Sequence, residues 1–212
     1  MQLSIWTNPL FTLWDYPLTL LEILGTLTGL LAVFFAARSN IITWPIGIVN
    51  VICFFFMFYT VQLYSDMLLQ VYYFVVSIYG WIAWRKKGDH SLEVQWMKKG
   101  TQFLIPILVL IFSVLLGYLI AHIHEYFPKA FPKPADYPYM DTAIAVMSVI
   151  ATYLQARKKI ESWIIWIITD TICTLLYWVK GIHLFSMEYL VFTILAVFGF
   201  LSWQKELKSK TN

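Results

Sequence analysis

The sequence predicts an all-α polytopic membrane protein, with seven transmembrane helices in a 3+1+3 arrangement whose two three-helix groups are a parallel pseudo-repeat. Three observations predict it. Of 212 residues, 60% are hydrophobic and 13% charged, and the mean hydropathy is +0.69. No soluble domain of this size hides so much apolar surface. The apolar residues also fall into seven continuous runs, each near the roughly 20 residues that a spanning helix needs; continuity, rather than alternation, excludes barrel strands. Finally, the chain matches itself at an offset of 119 residues.

Residues 1–17 are aromatic, contain proline and lack Lys and Arg, and read as a short interfacial segment with room for a partial helix. A basic leader followed by a short apolar core is missing there, so no cleaved signal peptide is expected. The runs follow at 18–37, 42–61, 66–85, 101–122, 140–156, 161–180 and 186–204. Residues 18–85 form the first bundle and 140–204 the second. Between them, 86–139 supply a polar, basic loop (86–100), the linker helix and a loop (123–139) holding four of the eight prolines. Both loops read as surface features. Residues 205–212 form a basic tail.

The basic residues set the orientation. Arg38, the group Arg85 to Lys99, the group Arg157 to Lys159, and Lys205, Lys208 and Lys210 supply twelve of the fifteen, all on one side. Lys129, Lys133 and Lys180 fall on the other. The positive-inside rule then puts the N-terminus outside and the C-terminus in the cytoplasm.

In the repeat, Ala37-Arg38-x-x-Ile41-x-x-Trp44 meets Ala156-Arg157-x-x-Ile160-x-x-Trp163, and Glu22 meets Asp141. With one residue inserted, Asn50-x-Ile52-Cys53 meets Asp170-x-Ile172-Cys173; Gly80, Trp84 and Lys86 then meet Gly199, Trp203 and Lys205. Two odd-numbered groups in direct succession would be inverted, so the fourth helix is what makes them parallel. Parallel repeats about an axis along the membrane normal are a transporter design, with a site near the midplane between the halves.

The stretch Glu161 to Asp170 holds the leading site candidates. Trp163, Trp166 and Asp170 share a helical face that Thr174 and Tyr177 continue. A carboxylate facing lipid costs roughly 3 kcal/mol on insertion scales, so Asp170 is expected to face protein or a wet cavity. Two indoles beside one anion suit a flat, cationic or amino-bearing heterocycle; equally, the indoles serve as interfacial anchors while Asp170 pairs with another helix. Asn50, the repeat partner of Asp170, reads either as a site residue or as a helix–helix hydrogen bond worth about 1 kcal/mol. Asp66, Gln70, Tyr73 and Ser77 share a face of the third helix. Asp66 suits substrate contact or capping in equal measure, whereas Glu22, Asp141 and Glu188 read first as helix-dipole partners.

Other chemistry is weakly signalled. His90, His122, His124 and His183 are scattered, Cys53 and Cys173 lie in mid-span, and no phosphate loop, nucleophile elbow or basic nucleic-acid face is present. No cofactor, metal or nucleic-acid partner is expected, and no intramembrane catalytic constellation is seen. A seven-helix receptor needs no internal repeat. A passive channel differs from a carrier in lacking saturable uptake.

Trp163-x-x-Trp166-x-x-x-Asp170 resembles the W-x-x-W-x-x-x-N signature of the PnuC-type vitamin transporters. Gln62-Leu-Tyr64 through Leu69-Gln70 to Tyr79-Gly80-Trp81-x-x-Trp84, and Ser186-Met-Glu188-Tyr189, are similar to the same family, over about residues 20–204. The resemblance implies a bacterial inner-membrane importer with a SWEET-like fold, a homotrimer in lipid, and facilitated diffusion by alternating access. The implied substrate is nicotinamide riboside, thiamine or riboflavin, and the implied substrate-binding residues are Trp163, Trp166, Asp170, Asn50 and Gln70, with Asp66 and Tyr177 as weaker candidates.

One departure bears on substrate. The family's nicotinamide riboside carriers have Asn where this chain has Asp170. An Asn matches both edges of a carboxamide; an ionised Asp only accepts. Thiamine offers an amino group and a cationic ring, so thiamine is the first expectation, nicotinamide riboside (also a cation) the alternative, and neutral riboflavin third.

Overall fold

The computed structural model describes residues 8–13, 16–60, 62–86, 88, 91–128 and 134–211. Lys87, His90, Lys129, Lys133 and parts of the N-terminal segment (1–7, 14–15) lie outside the described residues. Strands β1 (Pro9–Leu13) and β2 (Tyr16–Thr19) pair antiparallel, from Leu13 opposite Tyr16 to Pro9 opposite Thr19. The described part of the N-terminal segment is thus a hairpin, with no helical turn. Among the described residues seven helices follow: α1 (Leu20–Ala37), α2 (Thr43–Thr60), α3 (Tyr64–Arg85), α4 (Lys99–Tyr126), α5 (Pro138–Ala156), α6 (Glu161–Val179) and α7 (His183–Thr211).

β2 runs straight into α1 through a capping box. Thr19 accepts from the Glu22 N–H, and Glu22 accepts from the Thr19 N–H at 2.8 Å, satisfying two donors that a helix start leaves open. Tyr16 donates its hydroxyl to the other Glu22 oxygen at 2.6 Å, which ties the hairpin down. α5 begins with Pro138 in its first turn, where the missing N–H costs nothing.

Six of the helices are long and apolar enough to cross a membrane; α5 falls short. The seven-span expectation therefore meets its exception in the fifth run, which lies in α5, whose 19 residues include Asp141, Thr142, Ser148, Thr152 and Gln155. Thr142 and Ser148 are buried against neighbouring helices, so much of that polarity faces protein.

α1, α2 and α3 pack together, as do α5, α6 and α7. Two seams join these groups, α1 against α7 and α3 against α5, while α4 packs on α5. The repeated residues carry repeated geometry. Trp44 meets Trp84 edge-on at 5.3 Å and 89°, and Trp163 meets Trp203 at 5.4 Å and 89°. Each first indole lies on a glycine: a Cβ on Gly80 would come within 2.4 Å of Trp44, and one on Gly199 within 2.7 Å of Trp163. Only glycine admits these contacts. The second indole of each pair reaches across a seam, Trp84 Nε1 to the Ala156 carbonyl at 3.0 Å and Trp203 Nε1 to the Ala36 carbonyl at 2.9 Å. The turns match too: Ser39 and Lys158 both have φ of 52° after α1 and α5.

The molecule therefore has a tryptophan end, where α1, α3, α5 and α7 finish or pass, and a hairpin end, where they start. Part of the loop expected at the surface is drawn into the tryptophan end. Val94, 2% exposed, joins the core with Ile160, Trp163 and Trp203. Gln95 exchanges backbone bonds with Lys158 and Ile160, both at 3.1 Å. The buried Glu161 carboxylate accepts from the Met97 N–H at 2.8 Å and the Gln102 amide at 2.6 Å. The apolar side chains of Val94 and Met97 draw the strand inward, because exposure would waste their burial.

Candidate functional site

Asp170 sits in the middle of α6 and is 6% exposed. Its carboxylate accepts no hydrogen bond from a described residue; the Thr174 hydroxyl bonds only its backbone carbonyl. The groups that interact with it electrostatically are the Cys173 thiol, one turn along α6, and the Tyr189 hydroxyl on α7. A buried carboxylate with no cation and no donor is costly, by several kcal/mol for an ionised group. Such a group calls for a cationic or donor-bearing ligand, or for a proton.

An aromatic wall rises from Asp170 toward the hairpin end. Tyr177 stacks on Tyr189 with ring centres 5.4 Å apart and planes 7° from parallel. Phe185 lies 5.6 Å from Tyr177, Tyr16 of β2 meets Phe185 edge-on at 5.3 Å, and Phe192 lies 6.2 Å from Tyr189. The helical spacing of Asp170, Cys173 and Tyr177 puts all three on one α6 face, and α7 supplies the rest because it packs beside α6. Flat faces beside an unpaired anion can hold a planar cation by stacking and charge together.

Around this column stand further acids. Tyr177 interacts with Asp66 on α3, Asp141 on α5 and Glu188 on α7. Glu188 is not a first-turn residue of α7, so it does not cap that helix.

The sequence candidates separate. Trp163 is 0% exposed, wedged between Trp203 and Gly199, and offers no surface to a ligand in this conformation. Trp166 is only half-buried and donates from Nε1 to Gln155 at 3.3 Å. Asn50 makes the helix–helix bond, Nδ2 to the Gly25 carbonyl at 2.7 Å, and its Oδ1 accepts nothing from a described residue. Gln70 borders an apolar groove of about 200 Å³ between α2 and α3, with Val51, Ile52, Phe55 and Phe74, apart from the Asp170 column. Asp66 lies in the first turn of α3, where capping and substrate contact both remain compatible with its place. Tyr177 belongs to the wall. Sequence reasoning did not single out Tyr189 or Phe185 as site residues. Tyr189 nonetheless lies within Ser186-Met-Glu188-Tyr189, one of the motifs that carried the family resemblance.

A family model described as nicotinamide mononucleotide transporter matches residues 19–205. This chain belongs to that family. Among relatives of the family, the nicotinamide riboside transporter PnuC of Escherichia coli is 28% identical over 208 residues, covering 89% of this chain and 86% of the relative. The riboflavin/roseoflavin transporter RibM of Streptomyces davaonensis is 24% identical over 206 residues, covering 93% and 91%. A crystal structure of the vitamin B3 transporter PnuC superposes with a TM-score of 0.68 at 20% identity, over 89% of this chain and 82% of that one. The family fold is thus shared over most of the length.

Proposed function

We propose that this chain carries a cationic vitamin heterocycle across the bacterial inner membrane, with nicotinamide riboside as the first candidate. The observation that carries the reading is Asp170, buried and unpaired beside the Tyr177–Tyr189 stack. The pyridinium ring of nicotinamide riboside would supply the missing positive charge. Family membership supports transport, and the E. coli and Neisseria mucosa relatives are named for this substrate. That evidence reverses the order expected from sequence, where thiamine stood first. Thiamine stays as the second reading on one observation: Asp170 can only accept, which suits an aminopyrimidine better than a carboxamide. Riboflavin, the substrate in the name of the Streptomyces relative, has no charge to offer Asp170 and ranks third.

In this reading, Tyr177, Tyr189 and Trp166 hold the ring, Asp170 balances its charge, and Asn50 Oδ1 and Asp66 receive the polar far end. Trp163 acts indirectly, by fixing α6. The matched tryptophan pairs and seams support two parallel three-helix repeats joined by α4, a 3+1+3 plan like that of the SWEET transporters. α5 is then the seventh span, with two of its polar residues, Thr142 and Ser148, covered by neighbouring helices. The basic residues put the hairpin end outside and the tryptophan end in the cytoplasm. Transport is facilitated diffusion by rocking of one repeat against the other, in a homotrimer whose protomers each hold a site.

Titration of the purified protein with nicotinamide riboside, thiamine and riboflavin, paired with uptake into proteoliposomes, tests this. Saturable uptake and tightest binding of nicotinamide riboside are expected. Preference for neutral riboflavin would overturn the role of Asp170.

A further inference from the structure

The α1–α7 seam is closed toward both of its ends, by unlike contacts. At the tryptophan end, Trp203 is 0% exposed and its Nε1 donates to the Ala36 carbonyl at 2.9 Å. At the hairpin end, Tyr16 of β2 spans the seam. Its hydroxyl donates to Glu22 of α1 at 2.6 Å, and its ring meets Phe185 of α7 edge-on at 5.3 Å and 80°. We propose that Tyr16 is the outer gate of this chain: the hairpin moves with α1, lifts the Tyr16 ring off Phe185 and opens the aromatic wall to substrate, while the tryptophan end stays shut. The proposal rests on the carrier reading above and adds the residue that admits substrate to the site.

Three features support it. The two anchors of Tyr16 differ in kind. One carboxylate, that of Glu22, accepts from the Tyr16 hydroxyl and, at 2.8 Å each, from the Thr19 N–H and hydroxyl, so Tyr16 is tied to the start of α1 by a short hydrogen-bonded lever. Pro17 lies within that lever and stiffens it by fixing φ. The edge contact with Phe185 joins two half-buried rings and is made and broken at little cost. Next, β1 is exposed along its whole length, so helix packing does not hold the hairpin in place. Segments with so little buried surface are the ones that open most readily. Finally, Tyr16 heads a continuous series of rings. Phe185 lies 5.6 Å from Tyr177, and Tyr177 stacks on Tyr189 at 5.4 Å, on the α6 face that carries Asp170. Lifting Tyr16 uncovers the outermost member of that series. Because α1 and α7 belong to different helix groups, this opening is the outer half of the rocking motion.

The native thiol of Cys173 supplies a reporter. It is 2% exposed and sits between Asp170 and Tyr177 on α6. The chain has two cysteines, so Cys53→Ser leaves this thiol alone. Full-length protein in spheroplasts is treated from outside with a membrane-impermeant, cationic methanethiosulfonate, and the labelling of Cys173 is timed. Tyr16→Ala should label roughly three- to tenfold faster than its parent, the population shift that loss of one ring contact gives. From the cytoplasmic face, in inverted vesicles, labelling should stay slow in both. Thermal unfolding checks the fold. If the Ala variant unfolds, Tyr16→Phe, which keeps the ring and loses the bond to Glu22, takes its place with acceleration in the same direction. A second measurement closes the gate instead. With Cys53→Ser and Cys173→Ser in place, Tyr16→Cys and Phe185→Cys are bridged by a short bis-methanethiosulfonate. Nicotinamide riboside uptake into proteoliposomes should stop on bridging and return with dithiothreitol. Equal outside labelling of parent and variant, acceleration from both faces alike, or uptake undiminished by the bridge would overturn the gate while leaving the carrier intact. Failure of the unaltered protein to take up any of the vitamins would overturn the carrier reading, and the labelling rates would still decide whether the hairpin opens.

Discussion

Replacing Asp170 by Asn separates the two demands on that residue. Asn is nearly isosteric, so packing within α6 should hold, while the charge disappears. If the carboxylate serves as the substrate's counter-ion, the variant loses a charge-assisted interaction worth about 1.5–3 kcal/mol, or roughly 10- to 150-fold in Kd for a cationic ring. The empty protein should move the other way. Its Asp170 has neither cation nor donor, so removing the charge relieves an uncompensated cost. Thermal unfolding in detergent should rise by about 2–4 °C for each kcal/mol relieved. Calorimetric titration and a melting curve on one preparation read both quantities. Weaker binding with a more stable apo form identifies a residue kept for its ligand. Unchanged binding would remove Asp170 from the site, and tighter binding of nicotinamide riboside would show that the carboxamide edge, not the ring charge, is recognised there.

Other perturbations follow from the same geometry. Gly199→Ala and Gly80→Ala each push a Cβ into an indole and should cost about 1–3 kcal/mol of stability, seen as lower melting temperatures. Trp163→Phe should lower stability, with KM nearly unchanged, whereas Trp166→Phe should raise KM with little loss of stability; the opposite pattern in uptake assays would exchange their assignments. Glu161→Ala strands the Met97 N–H and the Gln102 amide at about 1–3 kcal/mol for the lost partner; faster tryptic cleavage at Lys98 and Lys99 would report the released strand, and Glu161→Gln should largely prevent it.

Much of the fold was legible because bilayer thickness leaves few choices: the run at 18–37 became α1 (Leu20–Ala37), and 161–180 became α6 (Glu161–Val179). The repeat was legible because packing demands the same residues twice, a glycine beneath each indole. Helical spacing correctly put Trp163 and Asp170 on related positions of α6, but a shared face does not say what lies opposite each residue. Gly199, 36 positions away, brings α7 close enough to seal Trp163 in. Tyr189 was hard to single out because, in a chain that is 18% aromatic, only the parallel stacking on Tyr177 distinguishes it. The hairpin at Pro9–Thr19 carries no alternating pattern strong enough to announce strands, and the inward turn of Val94 depends on a core supplied by distant helices.

The indole bonds that bridge the two seams have a mechanical consequence. Trp84 grips the end of α5, Trp203 grips the end of α1, and the two indoles lie against each other at 6.1 Å, so the two helix groups are buttoned together twice at one central junction. Separation at that end would break both bonds and the indole contact between them, so the junction is one unit rather than two independent joints.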